Sequence, residues 1–167
     1  MGFGSFFFNR IVRKPYYKDI PVGLLTLNWF VQRIFGINRE IPFSCHYTSK
    51  IVGYKNMDLS ESAKKSMTVS GGAYIVASGA PLVIGEHTIF AFNVCIQTIN
   101  HDFKDRSQFV AKPVTIGENC WLGNSVSIMP GVTLGNNVTV GANSVVTKSF
   151  PDNVVIAGCP AKIIKEI

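Results

Sequence analysis

The sequence is short of the groups that most metal and thiol chemistries need. Its four cysteines, Cys45, Cys95, Cys120 and Cys159, form no CxxC pair and no metal-type spacing. They call for no disulfide framework, and reduced thiols are the simplest reading. There are only three histidines. His46, His87 and His101 lack the close pair that a three-histidine metal centre requires, so no metal is expected. No serine or cysteine stands beside a histidine in a recognisable nucleophile motif, which argues against a covalent intermediate. Ten acidic residues face sixteen basic ones. The resulting charge of +6 permits an anionic partner without naming one, and no nucleic-acid partner is expected.

Long apolar runs are also missing. "IPVGLLTLNWFVQRIFGIN" is the most hydrophobic stretch, but Asn28, Gln32 and Arg33 interrupt it and it is short for a membrane span. It reads as a helix over residues 22 to 36, with Pro21 as the start signal and Gly36 as the stop, packing against the rest of the chain. The opening, "FGSFFFNRIVRK", is apolar and then basic, the reverse of a secretory signal, and "MGFGSF" misplaces the serine of a myristoylation site. A peripheral membrane contact through this N-terminus, helped by Arg10, Arg13 and Lys14, is the other reading of the segment.

What the chain does have is rhythm. In "VTIGENCWLGNSVSIMPGVTLGNNVTVGANSVVT", Ile116, Leu122, Ile128, Leu134, Val140 and Val146 recur every sixth position. Two places before each stands Val114, Cys120, Val126, Val132, Val138 or Ser144. On an α-helix, positions six apart point in three directions, so no helix buries this pattern on one side. On an extended chain six is even, and all the marked residues share a face. Gly and Asn in every repeat supply corners. Each hexad is therefore a short strand plus a bend, and such units stack as a coil with aliphatic residues piled inside. Ile84, Phe90 and Ile96 carry the phase backwards, and it slips once, within residues 100 to 113. Val69 and Ile75 read as a phase-shifted strand pair before residue 82.

These residues resemble the hexapeptide-repeat acyltransferases of the maltose/galactoside O-acetyltransferase type. The match runs over residues 82 to 167, through the "CWLG" rung, the "VVTK" end and the "AGCPAKII" tail. Residues 1 to 65 resemble the opening of polysaccharide-modifying relatives more weakly. The resemblance implies an all-β fold, a left-handed parallel β-helix with three hexads per turn, assembled as a homotrimer. The expected organisation is an N-terminal helical or irregular segment over residues 1 to 65, the coil over 66 to 150 with a loop inserted at 100 to 113, and a C-terminal cap over 151 to 167.

Acetyl transfer from a thioester to a hydroxyl needs a base, donors for the oxyanion and a groove for the long carrier. His87 sits in a hexad corner, where a solvated side chain is expected. His101 stands at the start of the loop that interrupts the coil and matches the family's base histidine. Asp102 follows where sugar O-acetyltransferases commonly have proline, leaving three roles open: orienting the imidazole, contacting the acceptor or capping the loop. Acceptor contact is favoured. The resemblance places Asn124 beside the thioester of acetyl-CoA, Ala142 against the pantetheine arm, and Thr147 and Lys148 further along the groove. Lys162 and Lys165 stand where relatives carry arginines near the nucleotide phosphates. Lysine keeps that charge without the bidentate fork.

The expectation is a cytoplasmic, metal-free, acetyl-CoA-dependent O-acetyltransferase. It would act on a sugar hydroxyl of a surface polysaccharide or its precursor, at a site between neighbouring subunits. An N-acetyltransferase of an amino sugar and a non-catalytic assembly protein are the alternatives.

Overall fold

Strand pairing converts the six-residue rhythm into a coil with three walls. The structure, a computed structural model, describes residues 14–167, so Arg10 and Arg13 lie outside the described residues. Strands β9 (Val114–Ile116), β10 (Trp121–Leu122), β11 (Ser127–Ile128), β12 (Thr133–Leu134), β13 (Thr139–Val140) and β14 (Val145–Val146) enter three different sheets in strict rotation. Thr115 lies opposite Thr133, Trp121 opposite Thr139 and Ser127 opposite Val145, an offset of eighteen residues each time. Three hexads therefore complete one turn, and each turn pairs with the next as parallel strands.

The earlier strands are β1 (Lys50–Val52), β2 (Met57–Leu59), β3 (Tyr74–Val76), β4 (Leu82–Ile84), β5 (Ile89–Phe90) and β6 (Cys95–Gln97). Face one has the order β1-β3-β6-β11-β14, and face two β2-β4-β9-β12. Face three runs β5-β10-β13-β15-β16, where β15 is Val154–Gly158 and β16 is Ala161–Glu166. β16 alone in that sheet returns antiparallel.

The interior is as the pattern requires. Both inward series from Val114 to Val146 are no more than 1% exposed. At the corners, Asn119, Ser125, Asn137 and Asn143 adopt positive φ, a conformation asparagine tolerates better than most residues. Gly117 is needed for a different reason. A Cβ there would sit 2.5 Å from the Gly135 carbonyl oxygen of the next turn.

The coil starts at β1, sixteen residues ahead of the expected boundary at residue 66. Its first turn is hard to read because helix α2 (Glu61–Val69) stands where a face-three strand would be. Val69 therefore belongs to a helix, not to the strand pattern expected for it. Ser60 caps that helix by accepting the Ala63 N–H. Ser66 Oγ accepts from Phe90 N at 3.2 Å, and Ser70 Oγ donates to Phe90 O at 2.9 Å. The outer edge of β5 is thus satisfied by side chains rather than left open.

Helix α1 (Val22–Ile34) begins at Pro21 as expected, and Gly36 takes φ +77° just beyond its end. Its buried face is Leu25, Asn28 and Gln32. Asn28 Nδ2 donates to Ser44 Oγ and Thr68 O, and its Oδ1 accepts from Tyr47 N. Gln32 Nε2 donates to Asn38 O and Phe43 O, and its Oε1 accepts from Cys45 N. The helix packs, but largely through polar side chains that satisfy the backbone of residues 38 to 47.

Candidate active site

The insertion between β6 and β9 is a hairpin rather than a bare loop. β7 (Ile99–His101) and β8 (Phe109–Ala111) pair antiparallel, with His101 opposite Phe109. Their rings meet at 4.5 Å between centroids. His101 Nδ1 lies 2.7 Å from the Arg106 carbonyl oxygen. A carbonyl can only accept, so Nδ1 carries the hydrogen, and in the neutral ring the lone pair is on Nε2. The hairpin thereby fixes both the orientation and the tautomer of an exposed imidazole.

Asp102 supports the same turn. Its Oδ1 accepts from Lys104 N at 2.7 Å and from Asp105 N at 3.1 Å. The Asp105 and Lys104 amides hold its carboxyl below the usual range. Asp105 does likewise for the next bend, accepting from Ser107 Oγ at 2.6 Å and from Ser107 N at 2.9 Å. Of the three roles open to Asp102, loop capping is therefore present in the structure. The imidazole's Nδ1 partner is the Arg106 carbonyl instead.

His101 and Asp102 line a cleft of ≈ 500 Å³ together with Phe103, Met129, Pro130 and Thr147. The register explains why Thr147 is there. Residues 129 to 132 and 147 to 149 turn the edge from face one to face two, below the root of the hairpin. Lys148 is on the same edge, its Nζ 5.5 Å from the centre of the Phe150 ring.

The other carried-over residues gather elsewhere. Asn124 and Ala142 are eighteen apart and stack on the edge from face three to face one. A Cβ on Gly123 would lie 2.7 Å from Ala142 N, and one on Gly141 would lie 3.0 Å from Ala157 Cβ. Ala157 pairs with Lys162 across β15 and β16. The register of that pair shifts between Val155 and Ile156, so Lys162 faces Ala157 while Lys165 faces Val155. Cross-strand partners share a sheet face. The irregularity thus turns both lysines outward, three residues apart, where an even alternation would have opposed them.

Two groups result. His101, Asp102, Thr147 and Lys148 belong to one edge of the prism; Asn124, Ala142, Lys162 and Lys165 belong to another edge and the adjoining wall. Face one separates them. His87 is exposed at a corner with φ +59°, as expected of a hexad bend. Among the described residues, no three His, Cys, Asp or Glu side chains are grouped to hold a metal ion.

Sequence reasoning missed Arg106 and Phe109. Arg106 acts through its backbone carbonyl, which leaves no side-chain signature. Phe109 is a hydrophobic residue in a segment read as loop, and only strand pairing opposite His101 reveals it.

Comparison with known proteins bears on the repeat and the fold. Residues 113–148 match the family model for the bacterial transferase hexapeptide (six repeats). The galactoside O-acetyltransferase of Escherichia coli strain K12 is 41% identical over 90 residues, 52% of this chain and 44% of that protein. The chain carries the hexapeptide repeat of the bacterial transferases and is similar to O-acetyltransferases built on it. A maltose O-acetyltransferase from Clostridium difficile 630, known from its crystal structure, superposes with a TM-score of 0.53. It is 34% identical and covers 74% of this chain and 62% of its own. A polysialic acid O-acetyltransferase superposes at TM-score 0.50 and 36% identity, over 58% of this chain and 49% of that one. This hexapeptide-repeat chain spans between 44% and 62% of the length of the first curated relatives it matches.

Proposed function

We propose that the chain is an acetyl-CoA-dependent O-acetyltransferase that modifies a sugar hydroxyl of a surface polysaccharide or its precursor. The observation that carries this reading is His101, whose Nδ1 is held by a carbonyl so that Nε2 serves as base at a cleft shared with Thr147. The alternating strand rotation fits the left-handed coil of the family, and the relatives named for galactoside, maltose and polysialic acid acetylation support a carbohydrate acceptor.

In this mechanism His101 Nε2 takes the proton of the acceptor hydroxyl while its oxygen attacks the thioester carbonyl carbon. The tetrahedral oxyanion is met by backbone N–H donors near the site. As the carbon–sulfur bond breaks, the imidazolium returns the proton to the departing thiolate, and the acetyl ester is left on the sugar. Asp102 holds the hairpin turn through Oδ1 and meets the acceptor through Oδ2, which its two backbone donors do not engage. Thr147 and Lys148 line the groove, while Asn124 and Ala142 contact the carrier near its thioester and pantetheine arm. Lys162 and Lys165 present positive charge to its phosphates.

Because the two groups of residues stand on different edges of one prism, the complete site needs a second copy of the chain. A homotrimer with each site between neighbouring subunits satisfies that requirement, and the enzyme works in the cytoplasm.

The test is release of free thiol from acetyl-CoA against a panel of mono- and oligosaccharides, with amino sugars included. Sugar-dependent release that His101→Ala abolishes is the expected result. Release driven only by free amines would assign N-acetylation, and no release with any acceptor would leave an assembly role.

A further inference from the structure

Helix α1 is inside out. Beyond Leu25, which packs on Tyr17 and Ile20, its buried face carries Asn28 and Gln32, each with three hydrogen bonds to residues 38 to 68. Its outward arc carries Val22, Leu27, Phe30 and Ile34, and Phe35 and Ile37 continue the surface beyond its end. Ile34 is 61% and Phe35 68% exposed. The orientation is not a loose choice. Rotating the helix to bury its apolar arc would strip several backbone groups of their partners and bury two amides in hydrocarbon. Six large exposed apolar side chains gathered on one arc and just beyond it, with the Phe30 and Phe35 rings 5.7 Å apart, mark a contact site.

Charge selects what it contacts. The first forty residues hold six of the sixteen basic residues and two of the ten acidic ones. Asp19, one of those two, is 3.4 Å from Lys65. Helix α1 carries no acid, and its one charged residue, Arg33, is on the outward arc beside Phe30 and Ile34. Arg33 Nη1 donates to the Arg39 carbonyl at 2.8 Å, which keeps the guanidinium at the rim of the apolar patch. Against a second copy, such a residue would bury like charges or strand a desolvated cation. At a lipid surface it reaches the headgroups while its neighbours enter the acyl boundary. Among the described residues no helix is long and apolar enough to cross a membrane, so the contact is with a surface.

We propose that the outward face of α1 docks this chain onto an anionic lipid bilayer, lying in the headgroup plane with Leu27, Phe30 and Ile34 inserted and Arg33 on the phosphates. Such docking would bring the carbohydrate-modifying edges to acceptors carried on a membrane. It rests on a different part of the chain from the transfer chemistry.

The experiment is co-sedimentation of the full chain with vesicles of phosphatidylcholine alone or mixed with phosphatidylglycerol, at low and high salt. Sedimentation with the mixed vesicles, weakened by salt, is expected. The triple variant Leu27→Gln, Phe30→Gln, Ile34→Gln should lose binding by more than about tenfold, with subunit number and acetylation of a soluble sugar unchanged. Arg33→Glu leaves the buried face intact and serves should the triple variant fold poorly. It should weaken binding by about fivefold or more. A chain that stays in the supernatant with both vesicle types overturns the proposal and assigns the face to residues 1 to 13 or to a second copy. A change of subunit number in either variant, with vesicle binding retained, overturns it in favour of the second copy.

Discussion

Arg106 holds His101 by its backbone, with the carbonyl oxygen 2.7 Å from Nδ1 across a five-residue turn. The bond does for a loop what a buried partner does elsewhere: it sets the tautomer without requiring a carboxylate. On the proposed mechanism His101→Ala should lower kcat by about 10²–10⁴-fold. The subunit number, read by light scattering, should stay as in the parent, because the hairpin projects from the coil. Unchanged turnover in that variant would remove the mechanism.

The coil could be read from the sequence because its constraint is periodic. From Val114 to Val140 the inward positions are stacked between neighbouring turns, and Val146 closes the end of face one, so size and spacing are imposed at each sixth residue. The same logic explains where reading stopped. Helix α2 spends nine residues on a wall that a rung crosses in two or three, so the phase before residue 82 is lost although β1 and β2 already belong to the coil. Helix α1 was legible from Pro21 and Gly36, but its facing was not. Composition alone would bury Leu27 and Phe30, and only the hydrogen bonds of Asn28 and Gln32 reverse it. At the site, His101 was visible as a loop histidine. The separation of Asn124 and Ala142 from it by face one follows from rung counting in three dimensions.

Asp102 caps the turn and, on the proposed mechanism, also meets the acceptor, and substitutions can separate the two. Asn at this position keeps an Oδ1 acceptor for the Lys104 and Asp105 amides while removing the charge. Asp102→Asn should therefore retain kcat within about threefold and raise KM for the sugar by about fivefold at most. Asp102→Ala removes the cap as well and should lower kcat too. Because those amides hold the carboxyl below its usual range, the cap is fully present above the ordinary carboxylate pKa. It is lost as pH falls through the lowered one. Equal KM values for the sugar in parent and Asn variants would leave Asp102 with the turn alone.

The lysines should act on the carrier and not on the chemistry. Lys162→Ala and Lys165→Ala each raise KM for acetyl-CoA by about fivefold at most, as exposed charges do, with kcat kept. The double variant should lose more than either alone, since the shift in register turns both side chains to one surface. Lys148→Ala should follow the same pattern. A fall in kcat with KM for acetyl-CoA unaltered would contradict this assignment.

The thiols should differ in reactivity with burial. Burial pushes both the Cys45 and the Cys120 thiol up, Cys45 strongly; Cys159 is exposed. The thiolate is the reactive form. Iodoacetamide on the native chain followed by peptide mass analysis should label Cys159 first and leave Cys45 and Cys120 untouched until denaturant is added. Early labelling of Cys120 would mean that the coil opens at its face-three rung.

The asparagine corners give the coil a test of what stabilises it. Asn119 Nδ2 donates to Asn137 Oδ1 at 3.2 Å, and Asn137 Nδ2 donates to Asn153 Oδ1 at 2.9 Å, so one side chain links three turns. Asn137 also holds φ +57°. Alanine there loses both bonds and adds left-handed strain of roughly 1–2 kcal/mol. Glycine loses the same bonds without that strain. Asn137→Ala should thus cost about 2–3 kcal/mol in denaturant unfolding, and Asn137→Gly about 1–2 kcal/mol. If the two variants unfold together, backbone strain is not what selects asparagine at the corner, and the side-chain ladder alone accounts for it.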